Sequence, residues 1–164
     1  MKIIDLEAHF YTEEYVKYLR SRKDVPREEV RQKNIRLWMW SNISVPRSFK
    51  LEEKLLDMGE KRIEEMDEVG IDIQVLSLGA PGCEQFEPAE GAAMAKQTND
   101  ELSEVIKKYP DRYIGLAALA PQDPIEAAKE VERAVKKLGL RGAKLNSHVR
   151  GEYLDDAKYW VIFE

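Results

Sequence analysis

The chain has 164 residues, 43% of them hydrophobic and 35% charged, with a formal net charge of −5. That balance describes one globular domain with room for a core, and it excludes a disordered chain and a general nucleic-acid binder, which needs a basic surface. The lone Cys83 leaves no intrachain disulfide and no cysteine zinc site.

The first predicted element is a strand over Ile3–Phe10. Strict alternation places Ile4, Leu6, Ala8 and Phe10 on one face, and Ile3, Asp5, Glu7 and His9 on the other. Glu7 and His9 then leave the chain side by side, a carboxylate and an imidazole suited to a divalent ion such as Zn or Mn. The same pattern also describes a half-solvated strand with no ligand at all. Asp5 and Glu7 interrupt the apolar core of a signal peptide. No apolar run nears the roughly 18 residues of a membrane span. The expected location is cytoplasmic, with neither membrane nor nucleic acid as partner.

Residues 11–50 read as a long insertion, a lid, containing a short helix capped by Thr12 and running to about Arg22. Trp38 and Trp40 are expected to plug it onto the body, or to meet a ligand. Leu51–Val69 reads as one helix with an apolar stripe of Leu55, Leu56, Ile63, Met66 and Val69, ended by Gly70. A strand follows over Ile71–Leu78, then the turn Gly79–Gly82. Pro88–Tyr109 is a helix and Tyr113–Leu119 a strand whose Gly115, Ala117 and Ala118 suit a barrel interior or tight helix packing. Asp123 and Pro124 open a helix buried through Ile125, Ala128, Val131, Val135 and Leu138. A fourth strand covers Ala143–Asn146, and a fourth helix starts at Asp155 or Asp156.

Strands alternating with helices in this way predict a parallel sheet, in the order of the sequence, with right-handed crossovers. Glu7, His9 and His148 fall where strands run into loops, which in a (β/α)8 barrel is the active-site mouth. Such a barrel needs roughly 200 residues or more. The expectation is an α/β fold forming the N-terminal half of a TIM barrel: four βα units over residues 1–164, a lid at 11–50, and no C-terminal half. Trp160, Ile162 and Phe163 are then left unburied. The open parallel edges predict a homo-oligomer or a covering partner.

Several segments together carry a resemblance. They are Asp5-Leu6-Glu7-Ala8-His9-Phe10, Leu55 to Ile63 with Met66-Asp67, Ala80-Pro81-Gly82, Lys108 to Gly115, Ala120 to Pro124, and Asn146-Ser147-His148 through Gly151 to Asp155. The chain resembles the metal-dependent decarboxylases of the amidohydrolase superfamily (family 2 type) that act on hydroxylated aromatic acids, such as 5-carboxyvanillate and γ-resorcylate. The resemblance implies that Glu7 and His9 are metal ligands, for Zn or Mn. It makes Asn146 and His148 pocket residues and Arg47 the lid arginine that pairs with a substrate carboxylate. By composition alone Arg47 is an exposed lid charge. The family's catalytic acid and histidine fall beyond residue 164, so no catalytic residue is assigned within the chain. The implied reaction is non-oxidative decarboxylation of an aromatic carboxylate, with these residues alone inactive. A lactone or amide hydrolase on the same scaffold, and a non-catalytic half-barrel that needs a partner, are the alternatives.

Overall fold

A computed structural model of the chain describes residues 1–40 and 42–164, with Trp40 described in its backbone alone. The element order is β1 (Ile4–Phe10), α1 (Glu13–Ser21), β2 (Arg27–Val30), β3 (Ile35–Trp40), β4 (Ile43–Arg47), α2 (Phe49–Leu56), α3 (Glu60–Val69) and β5 (Ile73–Leu78). It continues with α4 (Pro88–Lys108), β6 (Tyr113–Gly115), α5 (Pro124–Lys136), β7 (His148–Val149), β8 (Glu152–Tyr153) and a 3-10 helix, Ala157–Ile162. The body is a parallel sheet ordered β1-β5-β6. Ala117 bridges Ala143 in parallel beyond it. The expected order of four chain segments is therefore present, but the fourth strand shrinks to that one bridge.

The pairing of β1 with β5 corrects the alternation read from sequence. Asp5 pairs with Gln74, whereas Ala8 pairs with Leu76, so β1 carries one extra residue between them. A bulge of this kind inverts the parity of everything after it. Asp5 therefore shares a face with Ala8, Gln74 and Leu76 rather than with His9, and Gln74 Nε2 donates to Asp5 Oδ2 at 3.1 Å. His9 pairs with Ser77 on the opposite face.

Helices cover the Leu76 face. Ala8, Phe10, Leu76, Leu102, Tyr113, Ala127, Ala134 and Leu140 share one buried core there. Gly115 explains the small residues of β6. A Cβ at that position would lie 2.5 Å from Ile106 Cδ1 and 2.7 Å from Leu140 Cδ2, so the residue lets helices pack against the strand. On α5 the buried residues are Ala127 and Ala134, while Ile125 and Val135 are exposed. Val131 and Leu138 of the stripe read from sequence pack half-buried against the same core, but the fully buried positions are alanines, as a close helix–sheet approach favours.

The helix expected over 51–69 is two helices. Asp57 Oδ1 accepts from the Gly59 amide at 2.7 Å. Extended backbone at Asp57 and Gly59 ends α2 and starts α3. Polar side chains that bond their own backbone compete with the helix in this way. The fourth helix is the 3-10 helix, in which Ile162 is buried while Trp160 and Phe163 are exposed.

The segment over 11–50 is more ordered than its sequence suggested. Thr12 caps α1 by accepting from the Tyr15 amide at 3.1 Å. β2, β3 and β4 then form an antiparallel sheet. Tyr11, Tyr15, Val16, Leu19 and Leu37 bury against Leu78, Cys83, Phe86 and Ala118 of the body. Leu37, not Trp38, makes that seal. Trp38 stays within the small sheet: its indole donates to Glu29 at 3.1 Å and the Arg27 guanidinium lies 5.4 Å from its ring. The expectation for the Trp40 side chain lies outside the described residues.

Candidate functional site

The C-terminal end of β1 places Glu7 and His9. Ala8 and Phe10 enter the core; Glu7 is exposed and His9 half-buried. Ser77 Oγ lies 3.1 Å from His9 Nδ1 and is itself buried. A partner on one ring nitrogen fixes the orientation of an imidazole and leaves the other, Nε2, to face a metal. An exposed carboxylate two residues from an oriented imidazole, on the same strand, is of the donor chemistry that fits a divalent ion of the Mn or Zn kind. Among the described residues no group of three or more His, Cys, Asp or Glu could hold a metal. The chain thus presents two donors where a catalytic zinc typically takes three from the protein.

Tyr11 continues from β1 across the mouth. Its hydroxyl donates to the Ala80 carbonyl in the loop after β5, and Tyr15 donates to the Gly82 carbonyl at 2.8 Å. Burial pushes the Tyr11 hydroxyl pKa up, and the Arg47 guanidinium opposes it. That guanidinium stacks on the Tyr11 ring at 4.7 Å. Arg47, at the end of β4, is buried rather than an exposed lid charge, and it is ion-paired with the buried Glu28 of β2. The fold therefore places Arg47 against Tyr11, the residue that follows β1.

Asn146 is tied to the same mouth. Its backbone N–H donates to Glu84 Oε1 at 3.3 Å, and Lys144 Nζ donates to its side-chain oxygen at 2.8 Å. His148 sits further along, half-buried on the β7–β8 hairpin. Ser147 Oγ lies 3.3 Å from its Nδ1 and the Tyr153 ring 6.4 Å from its own. Sequence reasoning missed two acids here, Glu28 and Glu84. Burial pushes the Glu84 carboxyl pKa up, and Lys144 with the Asn146 bonds pulls it back. Neither acid announces itself by spacing. Glu28 looks like part of a polar run, and Glu84 like part of a turn.

Residues 4–164 match the family model described as Amidohydrolase, and the chain belongs to that family. It is 40% identical over 121 residues to γ-resorcylate decarboxylase of a Polaromonas species, covering 70% of this chain and 37% of that protein. Its fold is similar to that of 5-carboxyvanillate decarboxylase from Novosphingobium aromaticivorans, solved with manganese and 4-hydroxy-3-methoxy-5-nitrobenzoic acid. The TM-score is 0.83 at 35% identity, over 99% of this chain and 46% of that one. It is also similar to a dihydroxybenzoic acid decarboxylase from Polaromonas, solved with manganese and 2-nitroresorcinol, at a TM-score of 0.75 and 34% identity, again over 99% and 46%. The chain spans less than half the length of these relatives. No helix among the described residues is long and apolar enough to cross a membrane.

Proposed function

We propose that this chain forms the N-terminal part, four βα units with a lid over 11–50, of a metal-dependent enzyme that decarboxylates a hydroxylated aromatic carboxylic acid without oxidation. The observation that carries the reading is the pairing of two metal-type donors on β1, Glu7 and a His9 oriented by Ser77, with a buried arginine stacked on Tyr11, the residue that follows that strand. The likeness to manganese-bound decarboxylases supports the same reading.

In this reading Glu7 and His9 hold the ion, Mn or Zn. When bound, it supplies Lewis-acid polarisation and a template for the substrate's oxygens. The chain's other residues bind and orient. Arg47 faces a carboxylate, which a planar guanidinium recognises with directed hydrogen bonds. Tyr11 keeps that guanidinium flat and, with Leu37 and Phe86, walls off water. Asn146 and His148 form the polar side of the pocket, with Glu84 and Lys144 fixing the Asn146 backbone and amide. The overall reaction protonates the ring carbon that bears the carboxylate. The carbon–carbon bond then breaks, its electron pair restores the ring, and CO2 leaves. No residue of this chain is assigned as the proton donor.

The test is manganese titration by calorimetry on the chain alone and on the chain supplied with the second half of a related barrel, followed by assay of CO2 release from a 2-hydroxybenzoate. Weak binding and no turnover alone, with tight binding and CO2 release when supplemented, is the expected result. No CO2 release from the benzoate, with hydrolysis of an aryl lactone or amide offered in its place, would replace the decarboxylase reading with the hydrolase one.

A further inference from the structure

Four charges stand in a row, three of them on residues 11–50 and the fourth on α2. Arg47 meets Glu28, Glu28 Oε2 lies 3.3 Å from Arg20 Nε, and Arg20 Nη2 lies 2.5 Å from Glu52 Oε2. Glu28, Arg47 and Glu52 are only 4%, 7% and 8% exposed, and Arg20, third in the row, is its wet member. Two features are unusual for a pair that serves stability alone. The Arg47 guanidinium nitrogens and both Glu28 carboxylate oxygens are buried, and beyond their ion pairs none of them makes a directed hydrogen bond among the described residues. Leaving buried donors unmade costs roughly 1–3 kcal/mol, so a structural arginine would normally satisfy them. Glu28 also has a second cation beside it in Arg20, and keeps an ion-pair partner if Arg47 turns elsewhere.

We propose that Glu28 is a specificity-determining residue, a built-in competitor that holds Arg47 until a ligand carboxylate replaces it. The proposal rests on the reading of Arg47 as a carboxylate anchor and adds what that reading lacks, the group that sets how strongly the anchor acts. A carboxylate entering at Nη1 or Nε meets a guanidinium already neutralised by Glu28, and two carboxylates around one cation repel. Only an acid held at a second point, as at a metal, then outcompetes Glu28; a simple monoanion is held weakly. Arg20 makes the exchange possible, because Glu28 passes to it when Arg47 is taken.

The test uses benzoate as the probe and benzamide as its neutral twin, titrated calorimetrically into the chain. Glu28→Gln removes the competitor and is expected to tighten benzoate at least about threefold, with benzamide unchanged. Arg20→Gln, which leaves Glu28 with Arg47 as its main cation, is expected to weaken benzoate by a similar factor. It alters a partly exposed side chain, so it reports even where Glu28→Gln does not fold. Glu28→Gln binding benzoate no more tightly than the parent overturns the proposal, as does Arg20→Gln binding it more tightly. Absence of benzoate binding in every variant overturns it also. Arg47→Gln separates the two levels. If it leaves benzoate binding intact, the anchor reading itself fails. If it abolishes binding while Glu28→Gln changes nothing, the anchor stands and the competitor falls.

Discussion

The parallel body and the antiparallel lid are buried by different means. Beneath the β1-β5-β6 sheet the core is apolar, with Leu76, Leu102 and Leu140 at 1% exposure or less. The lid adds a second apolar cluster but also encloses the Arg47–Glu28 pair within it. Apolar burial is non-directional and tolerates small shifts. A buried ion pair demands its geometry and costs several kcal/mol per ion in desolvation before it returns anything. The body is built to hold its shape by apolar packing, while the 11–50 segment encloses a charge pair whose burial costs stability.

The largest effect is expected in the body. Leu102→Ala opens a cavity at a fully buried site and should cost about 3 kcal/mol. Denaturant unfolding followed by lid and body probes should show both regions lost in one transition. If the lid persists after the body has melted, the two are not organised as described.

Glu28→Ala should cost less, about 2 kcal/mol. A rigid interior would exact about 3–5 kcal/mol for an orphaned charge, but the lid can open locally and let water reach Arg47. Hydrogen exchange should accelerate over residues 27–47 and stay unchanged over β5 and α4. Acceleration throughout would remove the distinction between the regions.

At the joint between them, Glu7→Gln should leave stability untouched, since Glu7 is exposed. It should weaken manganese binding in the supplemented protein by tenfold or more, about 1.4 kcal/mol, because an amide oxygen is a poorer ligand than a carboxylate. Unaltered calorimetric affinity would remove Glu7 from the donor set.

The smallest effect is a pH dependence. The folded-state pKa of Glu84 is raised by burial, so the folded chain binds more protons than the unfolded one in that window. Stability from this group is therefore greatest below the unfolded carboxylate value and falls as pH rises through the folded one. Glu84→Gln removes that fall. Thermal melts should show the variant's advantage over the parent growing as pH rises above the ordinary carboxylate value. A constant gap would mean that Lys144 fully offsets the burial.

Much of the body was legible in the chain because local signals and burial agree there. Thr12, Asp123 and Pro124 start helices where capping chemistry says they should, and Gly70 ends α3 in the left-handed conformation its position requires. The parallel order followed from the rhythm of strands and helices. Glu7 and His9 stood out because two donors on one strand are visible without a third dimension. What tertiary structure alone decided was register and company. The bulge after Asp5 exists because β1 must match β5, a partner 69 residues away, and no local pattern encodes that match. The α5 stripe settled on Ala127 and Ala134 because the sheet approaches closely, not because those residues are the most apolar. Arg47 is buried since β2, supplying Glu28, and Tyr11 happen to enclose it. Spacing along a chain reports which faces are apolar; it does not report which distant charge will meet another once the chain has closed.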